Sequence, residues 1–265
     1  MALELIKGRY FSAYGLLGGL GFVLGIVFLV ITCKIKKVRF SDVIYVYVWA
    51  GIAAIVGAKV LYLLLDIKNI IEAFRIGGEV LINYLKAVFG GGLVFYGGLI
   101  GGIFGVWGAA KYFRLEPRTM LSTIIPTLPL AHAFGRLGCH TVGCCYGVEV
   151  HGHFGKMYTD SLFAPNNVLL FPVQLTESLC DLVIFVILAV MLFRTPIEKM
   201  KNSNILEIYL ILYPVVRFIL EFFRGDNVRG YFLFFSTSQW ISILILVSAG
   251  LSILCRGRSD QHLLK

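Results

Sequence analysis

Charge is scarce in this chain. Asp and Glu number 15 and Lys and Arg 24 among 265 residues, so charged side chains make up only 15% while hydrophobic ones reach 58%. With a mean hydropathy of +0.84 as well, the composition excludes water as the only solvent. Also absent are a Gly-x-x-x-x-Gly-Lys loop, a dinucleotide fingerprint between strand and helix, internal repeats and low-complexity tracts, so no soluble cofactor is expected. The six cysteines, at 33, 139, 144, 145, 180 and 255, do not form a spaced disulfide framework. A net charge of +9 would point a soluble protein toward nucleic acid. Here Lys and Arg stand in short clusters between apolar runs, as membrane topology requires, and no nucleic-acid partner is expected.

What the chain does have is apolar length. A helix crosses the hydrocarbon layer with about 20 apolar residues. Seven such runs occur, at 13–33, 43–65, 87–110, 119–138, 172–193, 204–223 and 237–254. The expected fold is therefore all-α, a single membrane domain over 1–265 with seven transmembrane helices. Thirteen Lys or Arg fall on one side (Lys34, Lys36, Lys37, Arg39, Lys111, Arg114, Arg118, Arg194, Lys199, Lys201, Arg256, Arg258, Lys265) and eight on the other (Lys7, Arg9, Lys68, Arg75, Lys86, Lys156, Arg224, Arg229). The positive-inside rule then puts the N-terminus outside, the C-terminus inside and the two long connectors, 66–86 and 139–171, outside. The first run reads as a retained anchor, because its stronger positive cluster follows the apolar stretch. Val-Ile-Thr-Cys33 resembles a lipoprotein cleavage site only superficially, since Thr32 suits it poorly and Lys34 follows at once.

Ionisable groups inside spans mark functional pathways. Tyr213, Arg217 and Glu221 recur at i, i+4 and i+8, with Arg224 three further on, so all four share one helical stripe that should face protein or water. A structural Arg217–Glu221 pair is the plainer alternative. On the expected topology, Tyr14, Lys59, Tyr96, Arg136, Gln174, Glu177 and this stripe occupy the outer half of separate spans, which predicts a site at the outer leaflet. The segment from Gly90 to Gly102, with Gly91, Gly97 and Gly98 around Tyr96, suits either close helix packing or a cavity lined by backbone amides, and Tyr96 favours the cavity. His132 reads as a packed, hydrogen-bonded histidine.

Gly135-Arg136-Leu-Gly138, Tyr96-Gly97-Gly98-Leu-Ile-Gly101, Pro172-Val-Gln174-Leu-Thr-Glu177 and Tyr213-Pro-Val-Val-Arg217-Phe-Ile-Leu-Glu221-Phe-Phe-Arg224 together resemble the prolipoprotein diacylglyceryl transferases, in order along nearly the whole chain. The resemblance implies a seven-span enzyme of the bacterial inner membrane that moves diacylglycerol from phosphatidylglycerol to the lipobox cysteine of a prolipoprotein signal peptide, releasing glycerol phosphate. It implies that Arg136 and Arg217 hold the phosphate, a task suited to a planar guanidinium. Glu221 would orient Arg217, and Tyr14, Tyr213, Gly91, Gly97 and Gly147 would lie near the lipid, with Gln174, Glu177 and Arg224 in the same substrate region. A paralogue with the same donor and another acceptor, and a non-enzymatic lipid-binding or transport protein, are the alternatives.

The sequence departs from that family at the thiol end of the chemistry. Tyr96 stands where the family has histidine, Cys139 where it has asparagine, and Cys144 where it has glutamate. Near Arg136 and His140 a cysteine can be a reactive thiolate. Cys139, Cys144 and Cys145, with His140, His151 or His153, can also form a disulfide or hold a metal. Adjacent Cys144 and Cys145 lack the Cys-x-x-Cys spacing, so a disulfide or a catalytic thiolate is expected ahead of a metal, and no metal is assigned.

Overall fold

The computed structural model describes residues 2–6, 9–90, 94–152, 154–226 and 231–262. Gly91 and His153 lie outside them, as do Gly92 and, among the counted charges, Lys7, Arg229 and Lys265. Helices dominate: α1 (Ala13–Lys36), α2 (Phe40–Leu65), α3 (Ile67–Ile76), α4 (Gly78–Gly90), α5 (Phe95–Tyr112), α6 (Pro117–Ile124), α7 (Thr127–Val142), α8 (Val173–Arg194), α9 (Ile205–Glu221) and α10 (Thr237–His262). Four of these, α1, α2, α8 and the Thr237–Leu254 part of α10, are long and apolar enough to cross a membrane. The third, fourth and sixth expected spans are shorter as helices, with 18 residues in α5, 16 in α7 and 17 in α9.

Two expectations need correction. The fourth run is split between α6 and α7 at Pro126, which lacks an N–H and disfavours helix in the residue before it. The connector 66–86 is not a loop, for it holds α3 and α4. Ile67, Ile70, Ile71 and Phe74 recur at helical spacing in α3, an amphipathic pattern too short to register as a span. Among the described residues the strands form three two-stranded antiparallel ladders: β1 (Ala2–Ile6) with β2 (Arg9–Ser12), β3 (Lys156–Met157) with β4 (Leu169–Leu170), and β5 (Tyr231–Phe232) with β6 (Phe235–Ser236).

Residues 38–121 form one compact unit. Its main contact is α2 against α5. A Cβ at Gly97 would run into the Gly57 carbonyl and the Leu61 side chain, and one at Gly101 into the Ala53 carbonyl and Gly57 Cα. The glycines from Gly97 onward therefore serve close helix packing rather than the lined cavity expected from Tyr96. Asp66, between α2 and α3, accepts hydrogen bonds from Asn69 and Tyr84, each at 2.6 Å. The Lys59 ammonium donates to the Val88 carbonyl at 2.6 Å, which gives this intramembrane cation a structural partner.

The second unit comprises residues 1–37 and 122–265. Its helices contact one another in the succession α1, α7, α8, α9, α10. At one end the Lys36 ammonium donates to the Phe193 carbonyl at 3.0 Å and to that of Thr195, satisfying carbonyls that the end of α8 leaves open. The connector 139–171 is ordered around buried Tyr158, Ala164 and Leu170, with Tyr146 and Val168 packed against them.

Two consequences are measurable by thermal unfolding of the detergent-solubilised protein. Gly101→Leu costs about 1–3 kcal/mol by overpacking the α2–α5 seam. Gly108→Ala, with nothing within 4 Å of its added Cβ, stabilises by about 0.5–1 kcal/mol instead. Glu116 caps α6 by accepting the Thr119 N–H at 2.6 Å. Burial works to raise its pKa, but the hydrogen bonds from Thr119 and the Arg118 charge outweigh that and hold it below its ordinary value. A depressed carboxyl stabilises above its unfolded pKa and loses that contribution as pH falls through the folded value. Glu116→Ala therefore costs about 1 kcal/mol at neutral pH, and the difference from wild type vanishes in acid.

Candidate active site

The polar centre of the second unit forms where α7, α8 and α9 meet. Each helix places its polar residues at i and i+4, hence on one face: His132 and Arg136 on α7, Glu177 and Asp181 on α8, Arg217 and Glu221 on α9. Glu177, 1% exposed, lies between two guanidinium groups, with Oε1 3.0 Å from Arg136 Nη2 and Oε2 3.8 Å from Arg217 Nη1. Arg217 Nη2 is 2.6 Å from Glu221 Oε2 and donates to Ser238 Oγ at 3.4 Å. One turn along the α7–α8 contact, His132 Nδ1 is 3.0 Å from Asp181 Oδ2, and the His132 ring meets the edge of Tyr213 at 5.3 Å. Tyr213 stacks on Tyr209.

The Tyr213–Arg217–Glu221–Arg224 stripe is buried throughout. Arg224 leaves it to form a two-pronged hydrogen bond with Asp226, Nε to Oδ1 at 2.8 Å and Nη2 to Oδ2 at 2.6 Å. Carboxylates thus hold all three guanidinium groups, yet Arg136 Nε, Arg217 Nη1 and Arg224 Nη1 are buried without a hydrogen-bond partner. Unsatisfied buried donors are costly, and three on neighbouring cations are a fit for an anionic oxygen.

Backbone pairing attaches the cysteine turn to this centre. Gly147 bridges Arg224, with Val148 N–H donating to the Phe223 carbonyl at 2.9 Å and Gly225 N–H to that of Tyr146 at 3.0 Å. On its other side Phe171 N–H donates to the Val148 carbonyl at 2.8 Å. A Cβ at Gly147 would strike the Phe171 carbonyl, so only glycine fits where the three segments meet. Gln174 donates to the Cys144 carbonyl at 3.0 Å, and Tyr158 to that of His140 at 2.9 Å. Cys139, Cys144 and Cys145 are free thiols whose sulfurs lie within 4.8 Å of one another. Hydrogen bonding with Cys139 and Cys144, then the charges of Arg224 and Arg136, push the Cys145 thiol far down, while the same thiol contacts push Cys144 up. Burial and the Lys156 charge lower the pKa of His140, which is neutral at pH 7.

The structure therefore brings Arg136, Cys139, Cys144, Gly147, Gln174, Glu177, Tyr213, Arg217, Glu221 and Arg224 into one region. Tyr14, half-exposed, joins them through Gly138, where a Cβ would stand 3.0 Å from Tyr14 Cα. Tyr96, Gly97 and Gly98 belong to the unit of residues 38–121, where Tyr96 is buried. Sequence reasoning missed Asp181, whose carboxylate stands beside His132. The signal was present in the i, i+4 repeat of acids at Glu177 and Asp181 opposite the i, i+4 pair His132 and Arg136.

A bundle of apolar helices around paired arginines and carboxylates defines a multi-pass membrane protein with a buried charged centre. Its family follows from comparison. The family model for prolipoprotein diacylglyceryl transferase matches residues 1–255. The phosphatidylglycerol–prolipoprotein diacylglyceryl transferase of Clostridium tetani is 35% identical over 240 residues, 91% of each chain. That of Finegoldia magna is 30% identical over 239 residues, covering 89% of this chain and 87% of its own. The phosphatidylglycerol–prolipoprotein diacylglyceryl transferase 2 of Clostridium perfringens is 28% identical over 249 residues, 92% of each chain. The chain belongs to the prolipoprotein diacylglyceryl transferase family.

Glu177 is the most exacting position of the centre. Glu177→Gln keeps the shape but leaves two buried guanidinium groups without their shared counter-charge, a loss of about 3–5 kcal/mol. The expected result is a lowered unfolding temperature, compared in detergent with the surface substitution Lys199→Gln, which leaves it unchanged.

Proposed function

We propose that this protein transfers the diacylglyceryl group of phosphatidylglycerol to the lipobox cysteine of a prolipoprotein signal peptide and releases glycerol phosphate. The observation that carries the reading is the trio of buried, hydrogen-bond-short guanidinium groups on a family-matching chain. Arg136 and Arg217 grip the phosphate, Arg224 adds charge beside them, Glu221 orients Arg217, and Glu177 keeps Arg136 and Arg217 apart at a set spacing. Tyr14 and Tyr213 border the lipid, Gln174 steadies the turn that carries Cys144, and Gly147 lets that turn approach.

The chain acts as one membrane domain of seven spans in the bacterial inner membrane, N-terminus outside and C-terminus inside, with the site open to the outer leaflet. In the reaction the acceptor thiol loses its proton and attacks a glycerol carbon. The carbon–oxygen bond to phosphate breaks, and its electron pair leaves with glycerol phosphate. The arginines stabilise charge on that leaving group where water is excluded.

The test is an in-membrane assay with labelled phosphatidylglycerol and a lipobox peptide. Label appears on the peptide with wild type and falls at least about a hundredfold in Arg217→Ala. Folded wild-type protein that consumes the lipid without labelling the peptide would assign a different acceptor. Protein that binds the lipid but never turns it over would identify a lipid-binding protein instead.

A further inference from the structure

The phosphate grip leaves three thiols without a task. Cys139 reaches them from the last turn of α7, and Cys144 and Cys145 from the turn that follows. All three sulfurs lie within 4.8 Å of one another. Sulfurs bound tetrahedrally to zinc at about 2.3 Å stand about 3.8 Å apart, so the cluster needs little movement to close on a metal ion. A disulfide would use two sulfurs and strand the third.

Cys-x-x-Cys spacing, whose absence argued against a metal in the sequence, is one way to gather ligands. Here the left-handed C-cap at Gly143 (φ 83) and left-handed Cys145 (φ 57) fold the turn back, so that residues five and six positions apart meet.

Charge favours the same outcome. Three thiolates and a divalent ion sum to one negative charge, and the cluster adjoins the guanidinium groups of Arg136 and Arg224, which have buried donors unspent at Nε and Nη1 respectively. Among the described residues the cluster supplies three ligands, as catalytic zinc sites do when they keep the fourth position for a reactant. The proposed reaction has a thiol as reactant, and a thiol that coordinates zinc is deprotonated outright.

We infer that Cys139, Cys144 and Cys145 bind a zinc ion whose open position takes the acceptor cysteine as a thiolate. This rests on the transferase reading. The acceptor proton passes to solvent and the metal-held sulfur bonds to the glycerol carbon. Glycerol phosphate departs with the electron pair, and the metal keeps its oxidation state throughout.

The experiment uses full-length protein purified in detergent without chelator. Elemental mass spectrometry is expected to find a single zinc per chain, retained in Arg217→Ala and lost in Cys144→Ser. Wild type exchanged into cobalt(II) is expected to show sulfur-to-metal absorption that shifts with a lipobox peptide but not with its serine analogue. Neither zinc nor cobalt uptake by folded wild type, or a disulfide within the cluster, overturns the site. Metal uptake with a spectrum indifferent to the peptide overturns the open position. Undiminished lipid transfer by metal-free protein overturns the metal's role and leaves the transferase reading standing. A peptide-dependent spectrum without any lipid transfer upholds the site and sinks that reading.

Discussion

A carboxylate buried between two guanidinium groups sets the terms for this structure. Glu177 on α8 faces Arg136 of α7 on one side and Arg217 of α9 on the other. In an apolar bundle none of the three charges is tolerable alone, so each helix is obliged to present its polar face to the same axis. Other contacts of the centre follow from that convergence. Ser178, next to Glu177, donates to the Ala133 carbonyl at 2.9 Å, and His132 meets Asp181 one turn away. With Glu221 paired to Arg217 the two guanidinium groups meet two carboxylates, while Arg136 Nε and Arg217 Nη1 keep no hydrogen-bond partner.

The second organising element is made of backbone. Residues 146–148 pair with 223–225 on one side and accept Phe171 on the other, which carries the cysteine turn to the edge of the arginine centre. The connector between the two is held by its own small apolar cluster around Tyr158. The arginine centre and a sulfur-rich region thereby share a border, an arrangement suited to joining a phospholipid to a thiol.

Much of this was legible in the sequence, for reasons tied to particular residues. The i, i+4, i+8 stripe of Tyr213, Arg217 and Glu221 announced a buried polar face because helical period and membrane cost leave few alternatives. The clustering of Cys139, Cys144 and Cys145 was visible as composition, but their mutual approach was not, since it depends on two left-handed residues. Pro126 was read as part of a span because a hydropathy window averages over it. Ile67 to Phe74 was read as connector because amphipathic helices lack the continuous apolar run that marks a crossing. The pairing of Arg136 with Glu177 left only one trace, the matching i, i+4 repeats of His132 with Arg136 on α7 and of Glu177 with Asp181 on α8. The glycines were read as lining a cavity around Tyr96, whereas Gly97 and Gly101 pack against Gly57 and Ala53, a contact between helices that sequence alone does not reveal.

The three-segment junction at Gly147 also determines where the chain can change length. One residue inserted between Cys145 and Gly147 would shift the cysteine turn against the paired backbone of the junction and displace its sulfurs. Val150, Lys156, Met157 and Tyr158 are paired with the 166–170 segment in their turn. Natural or engineered variants of this chain should therefore keep 139–147 at constant length.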